Sequence, residues 1–254
     1  MHLKSDDIIR LEIDFITGEV PAPFSHIFKL KLSFSKNFVN TQFDIQYTDR
    51  EYLSPEEIVD EGFTMADDYS YKGEIPKLWE EVFKKLYSAS KWSNLKTVGE
   101  KGGIKILAKD MHGKLIRDIP LNQDEWYLTC QDYIQAIYEI SKKEAPLNIR
   151  YFEIKNGEKT KVDLLYKFSL RKVIVDINGK EKVLAWEKGR ELASLIFIPD
   201  YDYSIAEEKL PETAGKYLDC GDGFWHDYEK GIINLDPAFD AKAKILNNIN
   251  ELLN

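Results

Sequence analysis

Cysteine and histidine are scarce in this chain. Its 254 residues include two cysteines, Cys130 and Cys220, and four histidines, His2, His26, His112 and His226, each in a different segment. Two distant cysteines build neither a zinc-ligand spacing nor a disulfide framework. No two histidines have the spacing of a metal pair, so we expect no metal, no cofactor and reduced thiols in a cytoplasm. Long apolar runs are missing as well. No stretch approaches the length of a membrane span, and Met1-His2-Leu3-Lys4-Ser5-Asp6-Asp7 lacks the basic and apolar regions of a secretory signal. A cytoplasmic protein without a membrane partner is the expectation. Positive charge is in deficit: 35 Lys+Arg against 44 Asp+Glu give a net charge of −9. Such a field repels phosphate backbones and favours a basic protein partner over nucleic acid.

Several chemistries fail for want of companion residues. Lys101-Gly102-Gly103 belongs to no phosphate-binding loop, because the Gly-x-x-x-x-Gly-Lys-Ser/Thr spacing is absent. Ser88-Ala89-Ser90-Lys91 has the Ser-x-x-Lys order of acyl-serine enzymes without their other motifs. Pro199-Asp200 with Glu207-Glu208-Lys209 carries acidic residues suited to magnesium, but on a short polar segment rather than an apolar strand.

What the chain does have is 43% hydrophobic residues in clear periodicities. Residues 7–16, 27–34 and 43–47 alternate apolar and polar side chains and read as half-buried strands, with Pro21 and Pro23 forcing an extended loop between the first two. Ser54-Pro55-Glu56-Glu57 is a helix start with a capping box, and that helix stops by Gly62. Residues 75–92 carry apolar side chains at helical spacing, 104–108 and 114–119 form a hairpin, and 123–143 make the strongest amphipathic helix. Asn156-Gly157 and Asn178-Gly179 supply the positive φ of type I′ turns, so 148–154, 159–169, 172–177 and 181–186 read as an antiparallel meander. Residues 195–198 suggest a further strand, 200–231 a long polar and aromatic loop, and 239–253 a closing helix.

The first third of the chain is faintly echoed in the last. Ile9-Arg10, Gly18-Glu19 and Phe28–Ser33 are answered in order by Ile149-Arg150, Gly157-Glu158 and Tyr166–Arg171. Farther on, Phe63 with Asp67-Asp68-Tyr69-Ser70 is answered by Phe197 with Asp200-Tyr201-Asp202-Tyr203-Ser204. The fold class expected is α+β, antiparallel meanders and hairpins packed against a few amphipathic helices, in a pseudo-duplicated two-lobe arrangement. The lobes are taken as 1–122 and 123–254, meeting around the helix at 123–143, or else as one integrated domain.

Two clusters bear on function. The acidic-tyrosine segments offer Asp67, Asp68, Tyr69 and Tyr71, and Asp200, Tyr201, Asp202 and Tyr203. Tyrosine gives rigid contact area with a polar tip, and neighbouring carboxylates steer and pair with basic side chains. The segment 219–229 gathers Cys220, Asp222, His226 and Asp227 in a glycine-containing loop. Cys220 and His226 would serve as nucleophile and base, oriented by Asp222 or Asp227, although catalytic Cys and His usually meet through folding rather than through adjacency. Calcium binding by Asp219, Asp222, Asp227 and Glu229 does not fit an EF-hand spacing. The favoured function is a non-catalytic interaction module, an adaptor, inhibitor or immunity-like factor that presents an acidic, tyrosine-rich surface to a protein. The alternatives are a cytoplasmic hydrolase or transferase using Cys220 and His226, and a structural subunit of a larger assembly.

Overall fold

A computed structural model describes residues 2–254 and divides the chain into two compact units, Met1–Glu144 and Ala145–Asn254. The first unit runs β1 (Ile8–Thr17), β2 (His26–Phe34), β3 (Phe38–Tyr47), α1 (Pro55–Asp60), β4 (Tyr69–Pro76), α2 (Leu78–Ala89), β5 (Gly102–Asp110), β6 (Leu115–Asp118) and α3 (Gln123–Ser141). The second runs β7 (Asn148–Lys155), β8 (Glu158–Lys167), β9 (Lys172–Ile177), β10 (Lys180–Leu184), α4 (Trp186–Ile196), β11 (Asp200–Tyr201), β12 (Gly215–Asp219), β13 (His226–Asp227), β14 (Ile232–Ile233) and α5 (Ala241–Leu253). The protein is therefore α+β with antiparallel sheets.

Alternation decides which face of the first sheet is dry. Along β2, Phe28, Leu30 and Leu32 are buried, while Lys29 and Lys31 turn to water opposite Asp14 and Glu12 of β1. The Lys29–Asp14 pair closes at 3.1 Å, a cross-strand ion pair that suits the wet face. Helices α2 and α3 supply the buried aromatics Trp79, Phe83, Trp126 and Tyr133, with ring centroids of Trp79 and Tyr133 5.0 Å apart and edge-to-face. The Tyr133 hydroxyl bonds Thr41, so the buried polar tip is satisfied. Trp126 likewise donates from Nε1 to Ser90 Oγ at 2.8 Å, which gives that serine a structural use. Helix α1 starts as its capping box requires: Glu57 N–H donates to Ser54 Oγ at 3.3 Å, and Ser54 N–H to Glu57 Oε2 at 2.8 Å.

The two six-stranded sheets follow the same path. Their strand orders are β4-β3-β2-β1-β5-β6 and β10-β9-β8-β7-β12-β13, each an antiparallel meander whose fifth main strand returns beside the first. A helix precedes that return in both units, α2 in one and α4 in the other. The hairpins at Asn156-Gly157 and Asn178-Gly179 have φ of 52° and 82°, and of 52° and 86°, as their residue types require.

Structure and expectation part in several places. Leu195 and Ile196 end helix α4 rather than forming a strand, because Leu192 and Ile196, one helical turn apart, both enter the core. Ile75 and Pro76 belong to β4, and α2 begins at Leu78. Helix α3 lies within the first compact unit, so the units part at Glu144 and Ala145 rather than at 122 and 123.

The echo holds only at its beginning. Ile9-Arg10 lies in β1 and Ile149-Arg150 in β7, and Gly18 and Gly157 both follow at the first turn. Phe28–Ser33 then lies within β2, whereas Tyr166–Arg171 runs off the end of β8. Asp67–Ser70 leads into β4, but Asp200–Ser204 follows α4. The acidic-tyrosine segments are thus not topological equivalents. The first unit carries its long insertion between β3 and β4, the second carries its own after α4, and the resemblance aligns one insertion with the other.

Candidate functional site

The densest chemistry lies in the second unit, on the loop that leaves β12. Alternation along this strand sends Leu218 and Cys220 into the core and Asp219 to the other side. Asp219 is only 1% exposed and organises the loop beyond it. Its Oδ2 accepts from Arg150 Nε at 2.8 Å and from the same guanidinium's Nη2, while Oδ1 accepts from Gly221 N–H at 2.8 Å and Gly223 N–H at 3.2 Å. Arg150 in turn lies 4.9 Å from the Trp225 ring. Gly221 and Gly223 have φ of 103° and 90°, conformations that folding the loop back requires.

Between the two glycines, Asp222 is turned over Cys220 and His226. Its Oδ2 accepts from the Tyr203 hydroxyl at 2.8 Å and lies 3.2 Å from His226 Nε2; its Oδ1 accepts from Phe224 N–H at 2.9 Å. The Cys220 thiol also donates to this carboxylate. Partial burial opposes ionisation of Asp222, but the bonds from Phe224, Tyr203, His226 and Cys220 outweigh it and hold the carboxyl below its usual range. His226 is fully buried, edge-on to Tyr201 at 4.8 Å and to Tyr203 at 5.0 Å. Its Nδ1 is buried without a hydrogen-bond partner among the described residues.

This arrangement brings together three of the four residues of the thiol-enzyme reading, but not in its sense. Burial, and then the charge of Asp222, push the Cys220 thiol up to about 12, so it is protonated near neutrality. The imidazole that would activate it faces Asp222 instead. Asp227 stands apart, accepting from Glu229 N–H at 2.9 Å and Lys230 N–H at 3.0 Å in a turn of its own. The four carboxylates of the calcium reading are likewise divided among an Arg150 pair, the Cys220 cluster and that turn. Among the described residues, Cys220, Asp222 and His226 form the one group of three or more His, Cys, Asp or Glu donors close enough to share an ion, all within 4.8 Å of one another. The sequence groups these three as nucleophile, base and orienting acid and not as a mixed donor set, because metal spacing is looked for among cysteines and among histidines separately.

The first acidic-tyrosine segment is committed to the fold. Asp67 pairs with Arg50 at 2.9 Å and accepts from Thr64 N–H at 2.8 Å and Oγ1 at 2.6 Å; Asp68 accepts from Tyr47 N–H at 2.8 Å. Tyr69 packs edge-on to Tyr138 at 5.4 Å, and the Tyr71 ring lies over Gly73. The second segment is more open. Tyr201 is anchored through its hydroxyl to Ile196 O at 2.6 Å, and Asp202 caps Ser204, but Asp200 is exposed and Tyr203 is 57% exposed.

Pairing of β11 with β14 sets Asp200 opposite Ile233. The segments flanking this ribbon also expose Phe197, Ile198, Ile205 and Leu235. No family model, curated protein or solved structure matches the chain. Among the described residues, no helix is long and apolar enough to cross a membrane.

Proposed function

We propose that the chain is a non-catalytic protein-interaction module, an adaptor, inhibitor or immunity-like factor of a reducing cytoplasm, and that it receives its partner at the β11–β14 ribbon. The observation that carries this reading is the set of exposed apolar side chains on the ribbon and its flanking segments, Phe197, Ile198, Ile205, Ile233 and Leu235, with the exposed Asp200 paired opposite Ile233. Large exposed apolar residues gathered in one region and edged by polar groups mark recognition surfaces. A partner segment presenting apolar side chains flanked by Lys or Arg fits it. The net charge of −9 favours such a partner over nucleic acid. Of the eight acidic and tyrosine residues singled out in the sequence, Asp200, Asp202 and Tyr203 belong to this surface, whereas Asp67, Asp68, Tyr69 and Tyr71 serve the fold of the first unit, and Tyr201 anchors the ribbon.

The test is quantitative capture from lysate of the source cells with the full chain and three variants. Ile233→Asp and Asp200→Lys are expected to release the captured protein, and Tyr71→Ala to retain it. Equal capture by all four chains, or no protein held specifically by the unaltered one, would sink the reading.

A further inference from the structure

We propose that Cys220, Asp222 and His226 bind a divalent transition metal, with zinc the ion their chemistry suits best. The inference does not rest on the recognition reading: Tyr203 borders both, but the donor atoms lie on the β12–β13 loop and its neighbouring strand ends and require no partner.

The donor set is one sulfur, one imidazole nitrogen and one carboxylate oxygen, all within 4.8 Å of one another. Hard ions such as calcium and magnesium take oxygen shells, whereas thiolate with imidazole selects zinc and its neighbours. Zinc bonds of about 2.0–2.1 Å to nitrogen and oxygen and about 2.3 Å to sulfur put tetrahedral ligands roughly 3.3–3.6 Å apart. The separation of His226 Nε2 and Asp222 Oδ2, 3.2 Å, already matches such an edge. Only the sulfur has to close in.

The scaffold is built before any ion arrives. Asp219, locked by Arg150, pins the amides of Gly221 and Gly223, and the two left-handed glycines place Asp222 over the cysteine. Tyr203 donates to the ligand oxygen of Asp222 at 2.8 Å, the outer bond that orients metal-bound carboxylates. The ring is fully buried, edge-on to Tyr201 and Tyr203, which hold it with Nε2 toward Asp222. The cluster reaches solvent at Asp222, whose side chain is 23% exposed, and at Tyr203, so ion entry and a fourth, water ligand belong on that side.

Binding balances simply. The metal takes the place of the Cys220 thiol proton, which leaves to solvent, and bonds the carboxylate of Asp222 and the imidazole nitrogen of His226 that faces it. The ion supplies the charge that the buried thiol lacks.

The experiment titrates the full chain with cobalt(II), which reports sulfur ligation through its charge-transfer absorption, followed by displacement with zinc. We expect one equivalent bound, with the absorption present in Cys130→Ser and abolished in Cys220→Ser, and zinc raising the melting temperature. Asp222→Ala, at an exposed loop position, is expected to weaken binding by about tenfold or more while leaving the circular dichroism unchanged, and it carries the test if Cys220→Ser fails to fold. Absence of the sulfur-to-cobalt band in the folded chain, or equal affinity in Asp222→Ala, would overturn the assignment.

Discussion

Arg150 and Asp219, one on β7 and one at the end of β12, form a two-donor ion pair across adjacent strands, with Nε to Oδ2 at 2.8 Å and the carboxylate 1% exposed. The partners differ in exposure, and that difference fixes which substitution costs more. Arg150 is partly open to water; Asp219 is not.

Removing Arg150 therefore leaves a buried carboxylate with two glycine amides but no counter-charge. Arg150→Ala is expected to lower stability by about 3 kcal/mol or more, in the range seen when one member of a buried pair is lost. Asp219→Asn keeps an acceptor for the glycine amides and frees a guanidinium that water can reach, so its cost is smaller. Urea denaturation of both variants checks the order; an equal or reversed order would contradict it.

Cys220 is expected to react slowly with alkylating reagents. Its thiol is pushed up to about 12 by burial and by Asp222, and Cys130, fully buried, is raised still further. At pH 8 both thiols are protonated in the folded chain, and labelling followed by peptide mass spectrometry should find neither modified at the rate of the denatured chain. Asp222→Ala removes one of the causes, so Cys220 labelling should rise while Cys130 labelling stays as it was.

Asp67 gives a prediction for acid. Burial opposes its ionisation, but the bonds from Thr64 and the Arg50 pair outweigh it and hold the carboxyl below its ordinary value. A carboxyl depressed in the folded state contributes stability in full above the unfolded value of about 3.9, and that contribution fades as pH falls through the depressed folded value. Asp67→Asn should therefore be less stable than the unaltered chain at pH 7, by about 1–2 kcal/mol for the lost charged hydrogen bonds. The gap should narrow progressively below pH 4. A gap that stays constant between pH 7 and pH 3 would remove the linkage.

How much of this is legible in the sequence depends on where the deciding contact lies. The meander of the second unit is legible because Asn156-Gly157 and Asn178-Gly179 carry their own turn geometry, and α1 because Ser54 and Glu57 cap it locally. Helix α4 is not, since Gly189 interrupts its helical pattern for a reason outside the helix: a Cβ there would collide with Val173 of β9. Strand β4 is obscured by its place at the sheet edge, where half-exposed polar residues and Gly73 replace a clean apolar alternation. In the candidate site, Cys220, Asp222 and His226 are close in sequence, yet only the positive φ of Gly221 and Gly223 and the Arg150–Asp219 pair bring their donor atoms to one point. Adjacency suggests a thiol and a base; the folded loop puts a carboxylate between them.

The place where the units part is testable by cutting the chain. Helix α3 packs on α2 and on the first sheet: Tyr133 and Trp126 meet Phe83 of α2 at 5.2 Å and 6.2 Å, and Tyr138 meets Phe43 of β3 at 6.2 Å. A fragment of residues 1–122 loses all of these partners and leaves Phe43, Trp79 and Phe83 to water, a loss worth about 1.5–3 kcal/mol for each large side chain uncovered. Over the three side chains that is comparable to the whole stability of a domain, about 5–15 kcal/mol. A fragment of residues 1–144 keeps the helix, the buried hydrogen bond between Tyr133 and Thr41, and the bond from Trp126 to Ser90. The longer fragment is expected to show near-ultraviolet circular dichroism and one cooperative urea transition, and the shorter one to show neither. Cooperative folding of residues 1–122 alone would place α3 outside the first unit's core.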